Sequence, residues 1–272
     1  MSGRRAGIAA LAAGLLLLGV AAPPARAQER QLNQGHPVQL DDAFPIAAGD
    51  ATLLTAGTLR LQRERANRGA FALDAQYALL PHTQLSVGTI LTTVPHETSD
   101  PGSGDLDIAG RVTLGQQRDL LPTMAAQLGV TLPTGVDSRG LDVELKGLAS
   151  RAVTVGLLPL LLHLNTAVVF RAAQRDDDER LARYRLAAGA SLALPQQATT
   201  TLVADVFVGQ AVTRGQAETI GAELGVRHRL TPRVALGGAV GTEFAGPGDR
   251  SPFYATVGVS VDFDLPAFGK AR

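Results

Sequence analysis

Phe253-Tyr254-Ala255-Thr256-Val257-Gly258-Val259-Ser260-Val261-Asp262-Phe263 is two interleaved series. Its odd positions read Phe, Ala, Val, Val, Val, Phe, and its even ones Tyr, Thr, Gly, Ser, Asp. Side chains alternate across a strand, so this stretch makes one apolar face and one small or polar face. A helix, with its 3.6-residue period, would scatter the same residues around its axis.

The pattern recurs upstream. Ile220, Ala222, Leu224, Val226 and Leu230 share one face, against Gly221, Glu223, Gly225, Arg227 and Arg229. Leu106, Ile108, Val112 and Leu114 oppose Asp107, Ala109, Arg111 and Thr113. Phe71, Leu73, Ala75, Tyr77 and Leu79 oppose Asp74 and Gln76, and Leu141, Val143 and Leu145 oppose Asp142, Glu144 and Lys146. Reading such segments along the chain predicts about twelve strands, near 51–62, 69–80, 83–94, 104–115, 122–132, 140–152, 160–171, 181–193, 198–209, 217–230, 233–244 and 252–263. Leu148 and Phe207 break the parity of their strands, and the run Gly237 to Gly241 marks a place for a bend or bulge.

The connections alternate as well. Short ones fall around Pro81, Pro195-Gln196-Gln197 and Thr231-Pro232. Longer polar ones run over Arg63 to Arg68, Pro95 to Ser103, Pro133 to Arg139, Ala172 to Arg180 and Ala245 to Ser251. Ten-residue alternating strands, with short turns at one end and longer loops at the other, predict an all-β, antiparallel, up-and-down transmembrane barrel. An even strand count puts both termini on the periplasmic side. A soluble sheet also alternates, with its apolar face inward; strand length, loop order and the start of the chain decide for the membrane barrel.

That start is an export signal. Arg4 and Arg5 precede an uncharged apolar run from Ala6 to Ala22, and Ala25-Arg26-Ala27 offers the small-x-small cleavage pattern before Gln28. The expected organisation is therefore a signal peptide over 1–27, a periplasmic lead-in or plug segment over 28–50, an outer-membrane barrel over 51–264 and a C-terminal tail over 265–272. Segment 28–48 lacks alternation, which fits a flexible lead-in or a plug in the periplasmic mouth. The longest later apolar run, Leu157 to Leu162, contains Pro159 and is far short of the roughly 20 residues of a membrane helix. Without residues 1–27 the chain holds 22 basic and 25 acidic residues, a balance that argues against nucleic-acid binding. It has no cysteine, which excludes disulfides and thiolate metal sites.

Gly104-Asp105-Leu106-Asp107, and after the next strand Gln127-Leu128-Gly129-Val130-Thr131-Leu132-Pro133-Thr134-Gly135, resemble the phenol meta-cleavage-pathway family of outer-membrane transporters. Asp41-Asp42-Ala43-Phe44-Pro45 is similar to the start of its mature members. The resemblance implies a barrel of twelve or so strands with a role in uptake of small, often aromatic, compounds, and no catalytic motif. The chain departs from common barrels at its end, where Phe263 is followed by Asp264 to Arg272, leaving Phe263 or Phe268 as the terminal aromatic. Aromatic residues are 4% with no Trp, so interfacial girdles are thin.

Parity points Asp74, Asp107, Arg111, Asp142, Glu144, Lys146, Arg183, Arg185, Glu223, Arg227, Glu243 and Asp262 into the lumen. Two readings stand side by side: a lining that selects solutes by charge, and ion pairs that brace a small barrel. Ser86, Gly88, Gly129, Thr131, Gly189, Ser191, Gly221, Gly225, Gly258 and Ser260 remove bulk on the same face, which favours open space or simply permits coiling. Arg175 to Arg180 reads as a solvated outer loop, without the central glycine of a calcium loop. His163 points inward beside Asn165 and His228 falls on the apolar face; no two histidines sit at metal-ligand spacing, so no metal and no cofactor are expected. The leading expectation is a non-enzymatic channel or transporter for small solutes. The alternatives are a lipid-acting hydrolase, which needs a Ser-His-acid set, and a structural barrel without transport. The expected partners are outer-membrane lipid, a small solute and the barrel-assembly machinery during biogenesis, with no nucleic acid.

Overall fold

The computed structural model describes residues 38–264 apart from 45, 63–66, 93–103, 137, 139, 157, 173–176, 195–196 and 248–249. The expected signal peptide, the start of the lead-in, the C-terminal tail with Phe268, and parts of the outer loops lie outside the described residues. Twelve strands follow one another: β1 (Asp50–Leu61), β2 (Arg68–Tyr77), β3 (Thr83–Thr92), β4 (Leu106–Gly115), β5 (Thr123–Leu132), β6 (Asp142–Val155), β7 (Leu158–Arg171), β8 (Ala182–Leu194), β9 (Gln197–Gly209), β10 (Thr219–Thr231), β11 (Val234–Ala245) and β12 (Phe253–Asp264). Each pairs antiparallel with its sequence neighbours, and β1 pairs with β12 to close the barrel. Expected strand ends move by three residues at most, because pairing with a neighbour, not the apolar pattern, decides where a ladder stops.

Closure leaves no free edge, so every strand finds main-chain partners on both sides. The outer face is the apolar one. Val257 is 66% exposed, Leu224 60% and Leu128 52%, all on the faces the alternation assigns to lipid. Water would penalise such a belt, and hydrocarbon does not. The fold is that of a transmembrane β-barrel.

Local irregularities fall elsewhere than the glycines predict. Register shifts lie at Ile220/Gly221 and Arg229/Thr231 between β10 and β11. Gly237 to Gly241 pairs with β12 without interruption. Gly241 is instead a gap for a ring: a Cβ built there would lie 2.3 Å from Cζ of Tyr254.

Candidate functional site

The inner face of the wall carries the polar series, and most of its charges meet a partner. At the outer half, Arg171 Nε and Nη2 donate to the two oxygens of Asp142 at 3.0 and 3.1 Å. Arg171 also reaches Glu179 at 3.4 Å, and Arg183 reaches Asp142 at 3.6 Å. Arg185 pairs with Glu144. Across β12, Arg60 Nη1 donates to Glu243 Oε1 at 2.8 Å and lies 4.6 Å from the centre of the Tyr254 ring. Thr131 Oγ1 donates to Asp107, Thr52 Oγ1 to Asp262 at 2.8 Å, and Asp74 lies against Gly88. Arg227 is buried. Of the twelve candidate lining residues, only Arg185 has an exposed side chain. Glu179 corrects the reading of Arg175 to Arg180 as solvated: it is 3% exposed and held by Arg171.

The lumen holds a second structure. Residues 38–44 and Ile46, the inner segment, cross it from β3 to β10. Ile46 N–H donates to Gln84 Oε1 at 3.3 Å, and the amide of Gln84 is itself oriented by Gln76 at 2.9 Å. Ala43 N–H donates to Ser150 Oγ at 2.9 Å, and Thr113 Oγ1 donates to the Ala43 carbonyl at 3.2 Å. Arg111 donates to the Asp42 carbonyl at 3.2 Å and to Gln127 Oε1 at 3.0 and 2.9 Å. The Asp41 carboxylate pairs with Lys146 and lies 3.7 Å from Arg111. Gln39 N–H donates to Glu223 Oε2 at 2.6 Å, while Tyr254 O–H donates to Glu223 Oε1 at 2.6 Å. A chain without its own ladder must find its hydrogen bonds somewhere, and this one finds them on wall side chains.

Apolar contacts complete the seating. Val38 and Leu40 form one cluster with Ala187, Val203, Phe207, Ala239 and Tyr254. Ala43 forms another with Ala125 and Leu148. Leu148 and Phe207, the residues that break strand parity, thus face inward because the inner segment covers them. The small inward residues are put to similar use. A Cβ on Gly189 would lie 2.6 Å from Leu40 Cδ1, one on Gly225 3.0 Å from Val38 Cγ1, and one on Gly221 2.3 Å from the Phe207 ring. At these positions the missing bulk is occupied, which corrects the expectation of open space. A flexible lead-in does not describe residues 38–44 and Ile46: Leu40 is 2% exposed, and Asp42 and Ala43 are fully buried.

One histidine cluster bears on the hydrolase alternative. Ser150 Oγ lies 3.0 Å from His163 Nδ1, and His163 Nε2 lies 3.1 Å from Ser191 Oγ. The two serine hydroxyls bracket the His163 ring, and the ring tautomer sets which of each pair donates. A triad needs a carboxylate on the second ring nitrogen; a hydroxyl stands there. The trio is also inside the lumen, away from lipid. His228 sits on the outer face, 2.8 Å from Thr200 Oγ1. Among the described residues no three His, Asp or Glu side chains converge on a metal position.

Sequence reasoning placed the wall charges by parity but missed the groups supplied by the inner segment, together with Asp205, Tyr254, Arg171 and Glu179. Asp205 had a signal: it shares a strand face with Phe207 and is the cross-strand partner of Glu223. The inner segment had only its two adjacent acids.

No family model matches the chain, and no curated protein matches it. Solved structures do. An outer-membrane channel from Pseudomonas putida F1 superposes with a TM-score of 0.59 at 14% identity, over 82% of this chain and 97% of that one. The NanC porin gives 0.57 at 11% identity, over 78% and 100%, and the KdgM porin 0.52 at 11%, over 78% and 99%. At such identities the likeness speaks to fold. With the apolar outer wall, it makes the fold a transmembrane β-barrel.

Proposed function

We propose that the protein is an outer-membrane channel for small solutes, whose path runs through the barrel and is narrowed by residues 38–46. The observation that carries this reading is the polarity of the wall: apolar outside, and lined inside by carboxylates and guanidinium groups such as Glu144, Arg185, Arg60 and Glu243. Arg185, although paired with Glu144, keeps 55% of its side chain exposed on the inner face, which supports a lumen that water or solute reaches. Twelve strands enclose an intermediate bore, between the packed interior of eight and the aqueous pore of sixteen.

The resemblance to the meta-cleavage-pathway transporters directs the cargo toward small, often aromatic, compounds. The proposal extends to the expected export signal over 1–27, to delivery by the barrel-assembly machinery, and to work without catalysis. Purified refolded protein in planar bilayers tests it. Discrete conductance steps are the expected result; a sealed barrel that hydrolyses lipid esters would replace this reading with the hydrolase one.

A further inference from the structure

The inner segment is bound as a ligand is bound. Three wall side chains accept its main-chain N–H groups: Gln84 from Ile46, Ser150 from Ala43, and Glu223 from Gln39. Arg111 and Thr113 donate to its carbonyls. Its Asp41 carboxylate is set between Lys146 and Arg111. Next to it, Leu40 fills an apolar recess floored by Gly189 and walled by Val203 and Phe207.

Lifting the segment would leave Lys146 and Arg111 without that carboxylate and the recess without its leucine. Both losses are unfavourable, the first because a partly desolvated cation loses its counter-charge and the second because apolar surface returns to water. A solute that restores both can take the segment's place. An anion alone, or an apolar molecule alone, restores half.

We infer that Lys146, Arg111 and the Gly189–Val203–Phe207 recess form a solute-binding site of the lumen, which the inner segment occupies as a tethered substitute and from which a small carboxylate with an apolar body displaces it. This rests on the channel reading for its purpose, since displacement would open the path, but the site itself is testable without conduction. Only a ligand that prefers the vacated state shifts the balance, and the tether sets the segment's local concentration near about the millimolar range. Solutes are therefore expected to act at comparable concentrations.

The chain has no cysteine, so Val38→Cys adds a single thiol at the buried start of the segment. The experiment measures its maleimide labelling in folded, full-length protein in detergent, with hexanoate, hexan-1-ol and acetate as probes. Hexanoate should speed labelling by about tenfold or more, and the alcohol and acetate should not. Lys146→Met should label faster at rest and lose the hexanoate effect, while Lys146→Arg keeps it. Asp41→Asn, which removes the competing carboxylate and leaves the wall intact, should lower the hexanoate concentration needed. Equal action by hexanol, equal action by acetate, or no change with hexanoate in either Val38→Cys or its Asp41→Asn derivative overturns the site. Steady bilayer conductance with flat labelling removes the site and leaves the channel. Hexanoate-dependent labelling of a barrel that never conducts keeps the site and removes the channel.

Discussion

Two regions fill the lumen in different ways. Toward the outer mouth, charges pair along the wall: Arg171 with Asp142 on the adjacent strand, Arg185 with Glu144 two strands away, and Arg60 with Glu243 across β12. These contacts span at most two strand steps and leave the axis clear of main chain. Further in, residues 38–46 run from β3 to β10 and link opposed walls through main-chain hydrogen bonds and two apolar clusters. Both interiors are polar and largely paired, yet the first stiffens the wall and the second narrows the bore. Pairing of polar groups therefore says nothing about openness; how far around the wall the contacts of one segment reach does.

The sharpest way to break this comparison is Arg171→Met. It removes the two-bond partner of Asp142 and an ion-pair partner of Glu179 at a site where the guanidinium side chain is 5% exposed, so barrel stability should fall by about 3–5 kcal/mol, seen as lost heat resistance in detergent gels, with single-channel conductance unchanged. Val257→Arg tests the wall itself. Placing a cation in the lipid belt should cost about 2–4 kcal/mol or block assembly, whereas Gly258→Cys, on the opposite face of the same strand, should fold; reversed tolerance would turn the barrel inside out. Leu40→Ala is the complement of the arginine change. Seating of the segment should weaken by about 2–3 kcal/mol, read as higher conductance, while the melting of the wall stays put. Neutralising Arg183 and Arg185 together should have the smallest energetic effect, under about 1 kcal/mol, because the Arg185 side chain is 55% exposed. Its signature is a shift of reversal potential toward cation selectivity, weaker at high salt. A larger stability loss than for Arg171→Met would show that the outer pairs brace the barrel in a different order than their burial implies.

Much of this wall was legible because a membrane barrel repeats one rule along every strand. The stretch Phe253 to Phe263 needs no distant residue to be read; lipid on one side and polar groups on the other impose the alternation. Leu148 and Phe207 were visible as exceptions, but their reason was not, since it lies more than a hundred residues away in Ala43 and Leu40. The segment itself has no period. Its contacts are spread over strands from β3 to β12, and each is a single event that no local pattern records. Asp41-Asp42 lay in a stretch read as a lead-in or plug, and the cations they meet, Lys146 and Arg111, were read as lining. Glycine was ambiguous for the same cause: absence of a side chain at 189 or 225 marks a cavity or a seat, and only the neighbour decides.

The seam between β1 and β12 bears on the order of assembly. Asp50 pairs with Asp264, so the ring shuts only when the last strand has arrived, and the inner segment is joined directly to the strand that shuts it. Gln39 meets Glu223 across 184 residues, a loop that must close at high entropic cost before the contact returns anything. Capture of the segment is therefore expected in the final step of folding, alongside the zipping of the seam, with its contacts absent from the rate-limiting state. Leu40→Ala should accordingly hasten release of the segment without slowing formation of the barrel, and a slowed barrel would mean that the segment acts as a template around which the strands gather.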